Sequence, residues 1–220
     1  IVAMGVAFFS GIRASEPDLR YSGDAYFDRN DLMDLKVMGT LGLTENDVQA
    51  IRSLEGVAQA EPGYSADVMV ERDGNQKVLH VSSILDSMNQ YTVEEGRMPK
   101  KDGECLIDQD FIQGSDLKVG DEITLISGTK DPVTDTFTKE TFRIVGAGSS
   151  PEYISFHRGS SMIGNGEVSG FLAVPKESFV TEAYTECYVS VEGAEEETAF
   201  TEEYDQKVEK VAERIESIGE

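Results

Sequence analysis

Eight short β-type segments recur along the chain, and helical periodicity is confined to two stretches. The segments share alternating apolar residues or β-branched runs, and they lie at residues 34–38, 66–71, 77–84, 103–107, 121–126, 137–145, 171–174 and 187–191. Asp73-Gly74 separates two of them and predicts a hairpin turn. Within residues 94–149 the short strands are closely spaced and separated by glycine, aspartate and proline, which is typical of a small antiparallel sheet or barrel.

The first helical stretch has a complete set of start and stop residues. Thr44 occupies the N-cap position and Asp47 the N3 position, which together form a shortened capping box. Gly56 follows the last apolar position, as expected for a C′ glycine. The apolar face consists of Val48, Ile51 and Leu54. The sequence therefore predicts a short helix between Thr44 and Gly56.

A second, acidic helix is predicted at residues 202–218. Its apolar stripe recurs at helical spacing and consists of Tyr204, Val208, Val211, Ile215 and Ile218. The stripe is too short for a coiled coil, so a helix lying on a sheet is favoured. A stalk leading back to a membrane is the alternative use of the same helix.

The order of elements is β-α-β-β, then a β-rich stretch, then β-β-α, which predicts an α+β fold. The two ends of the chain combine strand and helix patterns, whereas the middle contains short strand patterns only. We therefore expect a discontinuous α/β subdomain formed by residues 1–93 and 170–220. A small, β-rich, barrel-like subdomain at residues 94–169 is inserted between its halves.

The charge balance excludes one class of partner. The chain has 42 Asp and Glu against 19 Lys and Arg, a formal net charge of -23. Nucleic acids are bound largely through Lys and Arg that replace counterions, so nucleic-acid binding is not expected. Anionic lipid headgroups are repelled for the same reason. The charge serves solubility, with a Ca²⁺-loaded surface as the alternative reading.

Two cysteines, Cys105 and Cys187, are too few for a disulfide framework. Each follows a glutamate and opens an apolar segment that has the character of a strand. We expect two unpaired thiols inside strands, and a single long-range bridge is the alternative.

No motif in the sequence predicts catalysis, a cofactor or a metal. His80 and His157 are the only histidines, and no G-x-S-x-G, C-x-x-C or H-E-x-x-H is present. Asp108-Gln109-Asp110 resembles the start of a Ca²⁺ loop but lacks the later ligands and the glycine. Gly164-Asn165-Gly166 is followed by neither Lys-Ser/Thr nor a helix, so it does not form a phosphate loop.

Residues 1–9 are almost entirely apolar. They are fewer than the ~20 residues that a helix needs to span a bilayer, and no basic residue precedes them. We interpret them as the end of a membrane helix. A buried strand or helical turn is the alternative.

Four motifs in the middle of the chain occur in an order that resembles a known family. They are Glu95-Gly96-Arg97-Met98-Pro99, Gly103-Glu104-Cys105-Leu106-Ile107, the segment from Leu117 to Leu125 that contains Lys118-Val119-Gly120-Asp121, and Phe142-Arg143-Ile144-Val145-Gly146. This series is similar to the extracytoplasmic core domain of FtsX-like (MacB-type) ABC transporter permeases. The flanking segments agree, so the resemblance covers nearly the whole chain.

The resemblance implies a mechanical role on the extracytoplasmic face of a bacterial cell membrane. In such permeases a cytoplasmic ABC ATPase drives the membrane helices, and the outer domain passes that motion to an exported substrate or an extracellular protein. A second permease subunit or repeat is implied as well. The family supplies no catalytic residues to carry over, and both chain ends are expected at one pole of the domain.

Two other readings stay open at this point. One is a stand-alone secreted acidic binding module that uses Ca²⁺. The other is a hydrolase, which would need His80 or His157 within hydrogen-bond reach of a cysteine or serine.

Overall fold

The computed structural model describes residues 23–72, 74–153, 157–199 and 201–219. The apolar stretch at residues 1–9 lies outside them. The strands are β1 (Leu35–Leu43), β2 (Val57–Gly63), β3 (Ser65–Arg72), β4 (Asn75–Ser83), β5 (Thr92–Gly96), β6 (Glu104–Asp108), β7 (Glu122–Thr124), β8 (Thr141–Ser149), β9 (Val168–Val174) and β10 (Tyr184–Val191). The helices are α1 (Glu45–Arg52), α2 (Gln109–Gln113) and α3 (Glu202–Gly219), and residues 23–29 are also helical.

The first sheet has three strands in the order β1-β10-β2, paired antiparallel throughout. We call it the small sheet. One of its faces is covered by α1 and α3, which bury their apolar stripes on it. The shared core consists of Leu43, Val48, Ile51, Val57, Ala60, Cys187, Val189, Val191, Ala194, Val211 and Ile215.

The outer edge of β2 is partly closed by other groups. The Nε of Arg52 donates to the carbonyl oxygen of Ala60 at 2.7 Å. Residues two apart on a strand direct their backbone groups to the same side, so Pro62, which has no N–H, also faces this edge.

The second sheet has the strand order β3-β4-β9-β6-β8-β5, and β7 also pairs with β8. The pairs β4–β9 and β6–β8 are parallel and the others antiparallel. Met69 of β3 and Ile126, just after β7, exchange backbone hydrogen bonds of 2.8 and 2.7 Å. These bonds join the two ends of the sheet, so it curls into a barrel-like structure that we call the barrel.

The interior of the barrel is filled by apolar side chains. Phe137 packs against Phe179 at 4.8 Å and against Phe142 at 6.2 Å between ring centroids. Around these rings lie Val68, Val70, Leu79, Val81, Cys105, Ile107, Ile112, Leu117, Ile123, Leu125, Val133, Ile144, Ala147, Leu172 and Val174. The barrel is therefore a packed core and not a channel.

The predicted α+β class and its barrel-like sheet are confirmed, and so are both helices. The capping box forms as expected: Asp47 N–H donates to the hydroxyl of Thr44, and the Asp47 carboxylate accepts from Thr44 N–H at 2.7 Å. The stripe of α3 lies on a sheet, with Val211 and Ile215 buried.

One strand prediction is wrong at its start. Residues 137–140 do not belong to β8, which begins at Thr141. Pro132 precedes a 3₁₀ turn at Val133–Asp135, and Phe137 then makes a single bridge to Phe179. Phe137 is apolar because it fills the barrel, so its hydrophobicity reports burial and not strand membership.

The sheet pairing also bears on the predicted subdomain boundaries. The hairpin β3–β4 forms as predicted, but β4 pairs in parallel with β9 and so lies in the larger sheet. The predicted boundaries group this hairpin with the α/β subdomain of residues 1–93 and 170–220. The division into subdomains stays a prediction, because sheet membership alone does not define a domain.

Candidate functional site: the junction between the two sheets

The face of the small sheet opposite its helices carries polar side chains. The strand register places Lys36 of β1 beside Tyr188 of β10, and Tyr188 beside Glu61 of β2. Residues directly opposite one another in a sheet point to the same face, so these three side chains form a row across the strands. We call Lys36, Tyr188 and Glu61 the junction row, because each contacts residues at or near the barrel.

At one end of the row, Lys36 reaches across to the chain that follows β8. Its Nζ lies 3.1 Å from Oε2 of Glu152 and 3.5 Å from Oε2 of Glu186 on β10. The same nitrogen lies 5.2 Å from the ring centroid of Tyr188. Burial opposes the charge, but the two carboxylates outweigh it and raise the pKa of Lys36. Lys36 is therefore an ammonium ion at neutral pH.

At the centre of the row, Tyr188 is 2% exposed and its hydroxyl donates to Oε2 of Glu186. Burial, with the nearby carboxylates, raises the pKa of Tyr188 far above its usual range. The ring lies over Gly63, where a Cβ would come within 2.7 Å of the Tyr188 Cε2. Leu85 and Met88, from the chain after β4, complete a small apolar cluster around the ring.

At the other end, Glu61 accepts hydrogen bonds from the same post-β4 chain and from the barrel. Its Oε1 lies 2.9 Å from Nζ of Lys176, which follows β9. The backbone N–H of Asp86 donates to Oε1 of Glu61 at 2.5 Å, and the N–H of Ser87 donates to Oε2 at 3.1 Å. Burial alone would raise the pKa of Glu61, but these donors outweigh it and lower the pKa. Glu61 is therefore held as a carboxylate.

The outer face of the barrel contributes a plate of aromatic rings near the junction. Phe171 of β9 stacks on Tyr153 at 5.5 Å and lies 5.6 Å from Tyr91 between ring centroids. The hydroxyl of Tyr91 is 2.9 Å from Oγ of Ser82. Burial and the charge of Glu152 raise the pKa of both tyrosines, so both are neutral at physiological pH.

A separate ion-pair cluster fixes the chain between β8 and β9. The guanidinium of Arg158 is bidentate on Asp108, with distances of 2.7 and 3.2 Å, and lies 2.7 Å from Oδ2 of Asp110. The side chains of Arg158 and Asp108 are 8% and 2% exposed. These are the two carboxylates of the segment that resembles a Ca²⁺ loop. An arginine is their cation here, which makes the segment a structural anchor.

Among the described residues, the hydrogen-bond partner of His80 is an aspartate and not a serine or cysteine. Its Nδ1 lies 2.7 Å from Oδ1 of Asp67, and Ser161 Oγ donates to the other oxygen of Asp67 at 2.6 Å. The serine is thus bonded to the aspartate and not to the histidine, whereas an activated nucleophile is bonded to its base. His157 is exposed beside Arg158.

Cys105 of β6 and Cys187 of β10 are both free and buried. The prediction of two unpaired thiols in strands is therefore confirmed. Burial raises the pKa of Cys187 to about 11 and raises that of Cys105 further. Both are thiols at neutral pH, and a thiol is a poor nucleophile compared with a thiolate.

The residues that the structure describes form neither a metal-binding cluster nor a membrane-crossing helix. No group of three or more His, Cys, Asp or Glu side chains within them is placed to hold a metal ion. Across the same ranges, no helix combines the length and apolar character needed to cross a lipid bilayer.

Sequence reasoning missed the junction, although β10 carries a signal for it. Cys187 and Val189 alternate with Glu186, Tyr188 and Ser190, so the strand has one apolar and one polar face. Alternation of this kind usually means that the polar face meets solvent. Here Glu186 and Tyr188 are buried, and Lys36, which pairs with both Glu186 and Glu152, lies far away in the sequence.

The chain is similar to solved structures of extracytoplasmic transporter domains. The extracellular domain of the ABC-type transporter YknZ from Gram-positive bacteria is 12% identical, with a TM-score of 0.46, over 81% of this chain and 85% of that chain. The periplasmic region of MacB from Actinobacillus actinomycetemcomitans is 11% identical, with a TM-score of 0.44, over 83% of this chain and 76% of that one. No curated protein sequence matches the chain.

The sequence model of the MacB-like periplasmic core domain matches residues 1–207. The match spans most of the 220 residues and includes all four motifs on which the resemblance was based. The resemblance is thereby confirmed, and the chain belongs to the family of MacB-like periplasmic core domains.

Proposed function

We propose that this chain couples the ATP-driven motion of membrane helices to an exported substrate or an outside partner, as the extracytoplasmic domain of a bacterial ABC transporter permease. In this proposal the domain catalyses no reaction of its own. The cytoplasmic ABC ATPase acts through the parent permease, and a second permease subunit or repeat completes the transporter in the cell membrane.

The observation that carries the proposal is the junction row. Lys36 and Glu61 form ion pairs with Glu152 and Lys176, and so connect the small sheet to the barrel on both sides of Tyr188. Charged pairs need specific geometry and define one relative position of two bodies. A displacement of the small sheet would therefore be passed to the barrel through these pairs.

The small sheet is the body that we assign to the membrane side. Residues 23–63 and 184–219 contain its strands and helices, and Ala199 N–H donates to Asp24 Oδ1 at 2.7 Å. This contact ties the N-terminal helical residues to the chain that leads into α3. We propose that the small sheet with its helices is one mechanical unit and the barrel the other, which would move the subdomain boundaries to the ends of the larger sheet.

The test uses the full-length permease with its ATPase in lipid. Ala50→Cys on α1 and Asp116→Cys on the barrel are both at exposed positions and accept spin labels. Cys105 and Cys187 of this domain are buried thiols and stay unlabelled in the folded protein, and cysteines elsewhere in the permease are replaced by serine. We expect the two labels to keep one narrow distance distribution in both the ATP-bound and the nucleotide-free states, because the junction row holds the small sheet and the barrel in one relative position.

Lys36→Met is the diagnostic variant, because it removes the charge and keeps most of the side-chain volume. Nucleotide should then still change the membrane helices, while the small sheet and barrel lose their fixed relative position and the label distances broaden. Lys210→Met, at an exposed position of α3, is the matched control and should behave as wild type. Wild-type label distances that change with nucleotide, or identical behaviour of the two variants, would contradict the proposal.

A further inference from the structure

Strand β1 has an excess of residues over its partner. Met38 pairs with Glu186 and Leu43 with Tyr184, so residues 39–42 lie opposite the single residue Thr185. The additional residues leave the ladder as a large bulge. We call residues 38–42 the β1 protrusion.

Two glycines give the protrusion its shape. A Cβ on Gly39 would lie 2.6 Å from the carbonyl oxygen of Gly42, which no side chain tolerates. Gly42 has a φ of +82°, and its Cβ would lie 2.8 Å from the Cβ of Ala183. The backbone therefore folds closely onto itself and onto the chain before β10. The protrusion has a defined conformation and not merely additional length.

Apolar side chains point away from this support. Leu41 is 95% exposed and Met38 is 69% exposed. Single exposed apolar residues are normal on protein surfaces, but here two share one glycine-shaped bulge. Neither side chain packs in the core of the small sheet or in that of the barrel, so the fold alone does not account for these two apolar residues.

The surroundings of the protrusion are acidic. Exposed carboxylates flank it at Glu45 and Asp47 on the first turn of α1 and at Glu182 beside Ala183. The hydroxyl of Tyr184, which pairs with Leu43, donates to Glu45 Oε2 at 3.2 Å. Hydrogen bonds from Thr44 lower the pKa of Asp47, so this carboxylate is ionised at neutral pH. Arg52, 3.4 Å from Glu45, offsets one of the three charges.

We propose that the β1 protrusion inserts Leu41 and Met38 into an apolar pocket of a partner protein whose rim carries lysine or arginine. A basic rim complements the flanking carboxylates and also steers the two surfaces together. An anionic lipid surface would be repelled by the same carboxylates. A second copy of this acidic chain would be repelled as well. The inference is independent of the proposed coupling function.

The experiment places a photoreactive p-benzoylphenylalanine at position 41 or 38 of the full-length protein in its own bacterium. Position 162 is the matched control, because Met162 is also fully exposed but lies on a different loop. Cross-links from 41 and 38, but not from 162, are expected at one site of one protein. Mapping of the cross-linked peptide should show apolar residues flanked by lysine or arginine.

Charge reversal then tests the rim. Glu45→Lys with Glu182→Lys should lower the cross-link yield from position 41 by about tenfold. Glu216→Lys, at an exposed position of α3, should leave the yield unchanged. Circular dichroism of each purified variant confirms that it is folded.

Four outcomes would overturn the proposal. They are cross-links from position 41 to lipid, cross-links to another copy of this chain, an equal yield of the same product from position 162, and no product from positions 41 and 38 in folded protein. An unchanged yield in the charge-reversal variant would overturn the basic rim specifically.

Discussion

The two faces of the small sheet are held by different forces. The helix-covered face is closed by apolar packing, in which Ile51 and Val189 are 3% and 0% exposed. The barrel-facing side is closed by the junction row, in which Lys36 and Glu61 form ion pairs. Apolar burial is non-directional and tolerates no gap, whereas an ion pair is directional and can re-form with water or another partner. We propose on this basis that the sheet and its helices form one body, which is joined to the barrel by ion pairs and by the small apolar cluster around Tyr188.

The largest effect is expected on the helix-covered face. Ile51→Ala removes buried methyl groups from α1 and should lower the free energy of unfolding by about 2–5 kcal/mol. Chemical denaturation followed by circular dichroism measures this change. Ala50→Gly, on the exposed side of the same helix, is the control and should cost about 1 kcal/mol. A loss at Ile51 no larger than that at Ala50 would remove the distinction between the two faces.

A smaller effect is expected at the junction row. Glu61→Gln keeps the shape of the side chain but removes the charge that faces Lys176. The new amide N–H group would also lie beside the N–H groups of Asp86 and Ser87, which now donate to the carboxylate. We expect a loss of about 1–3 kcal/mol in the free energy of unfolding at neutral pH.

The pH dependence follows from the lowered pKa of Glu61. The folded pKa lies below the unfolded value of 4.5, so the contribution of the charge is fully present above pH 4.5. It is lost as the pH falls through the folded pKa. Unfolding curves of wild type and Glu61→Gln should therefore converge in acid, and a constant difference down to the lowest pH would show that charge is not the cause.

The smallest effect is expected on the rate at which a thiol reagent modifies Cys187 of β10. Cys187 points into the helix-covered core, while its neighbour Tyr188 points into the junction. Lys36→Met should loosen the junction and leave the rate of Cys187 modification by a thiol reagent unchanged. Ile51→Ala should raise that rate. Mass spectrometry of peptides distinguishes Cys187 from Cys105, and equal acceleration in both variants would show that the two faces open together.

Local features of the fold were predictable from sequence, and long-range ones were not. The capping box at Thr44 and the stripe of α3 depend on residues within one or two turns, so their patterns identify them directly. The β3–β4 hairpin is local too. Its parallel pairing with β9 joins segments far apart in the chain, and no periodicity in either segment encodes that choice.

The candidate site was hidden for the same reason. Lys36, Glu61 and Tyr188 come from three separated strands, and each is an ordinary residue in its own segment. Only the register brings them into one row. The four motifs near the middle of the chain identified the family, because their glycines and turns are local requirements.

The closed edge of β2 has a consequence for the behaviour of the domain at high concentration. An open strand edge is a template on which another chain can add, and this leads to aggregation. At β2, the Arg52 guanidinium already occupies the Ala60 carbonyl, and Pro62 offers no donor. A strand that added here would have to displace the Arg52 guanidinium from the Ala60 carbonyl. Its own carbonyl opposite Pro62 would stay unpaired, because proline has no N–H. The small sheet is thereby protected from fibril-like growth at this border.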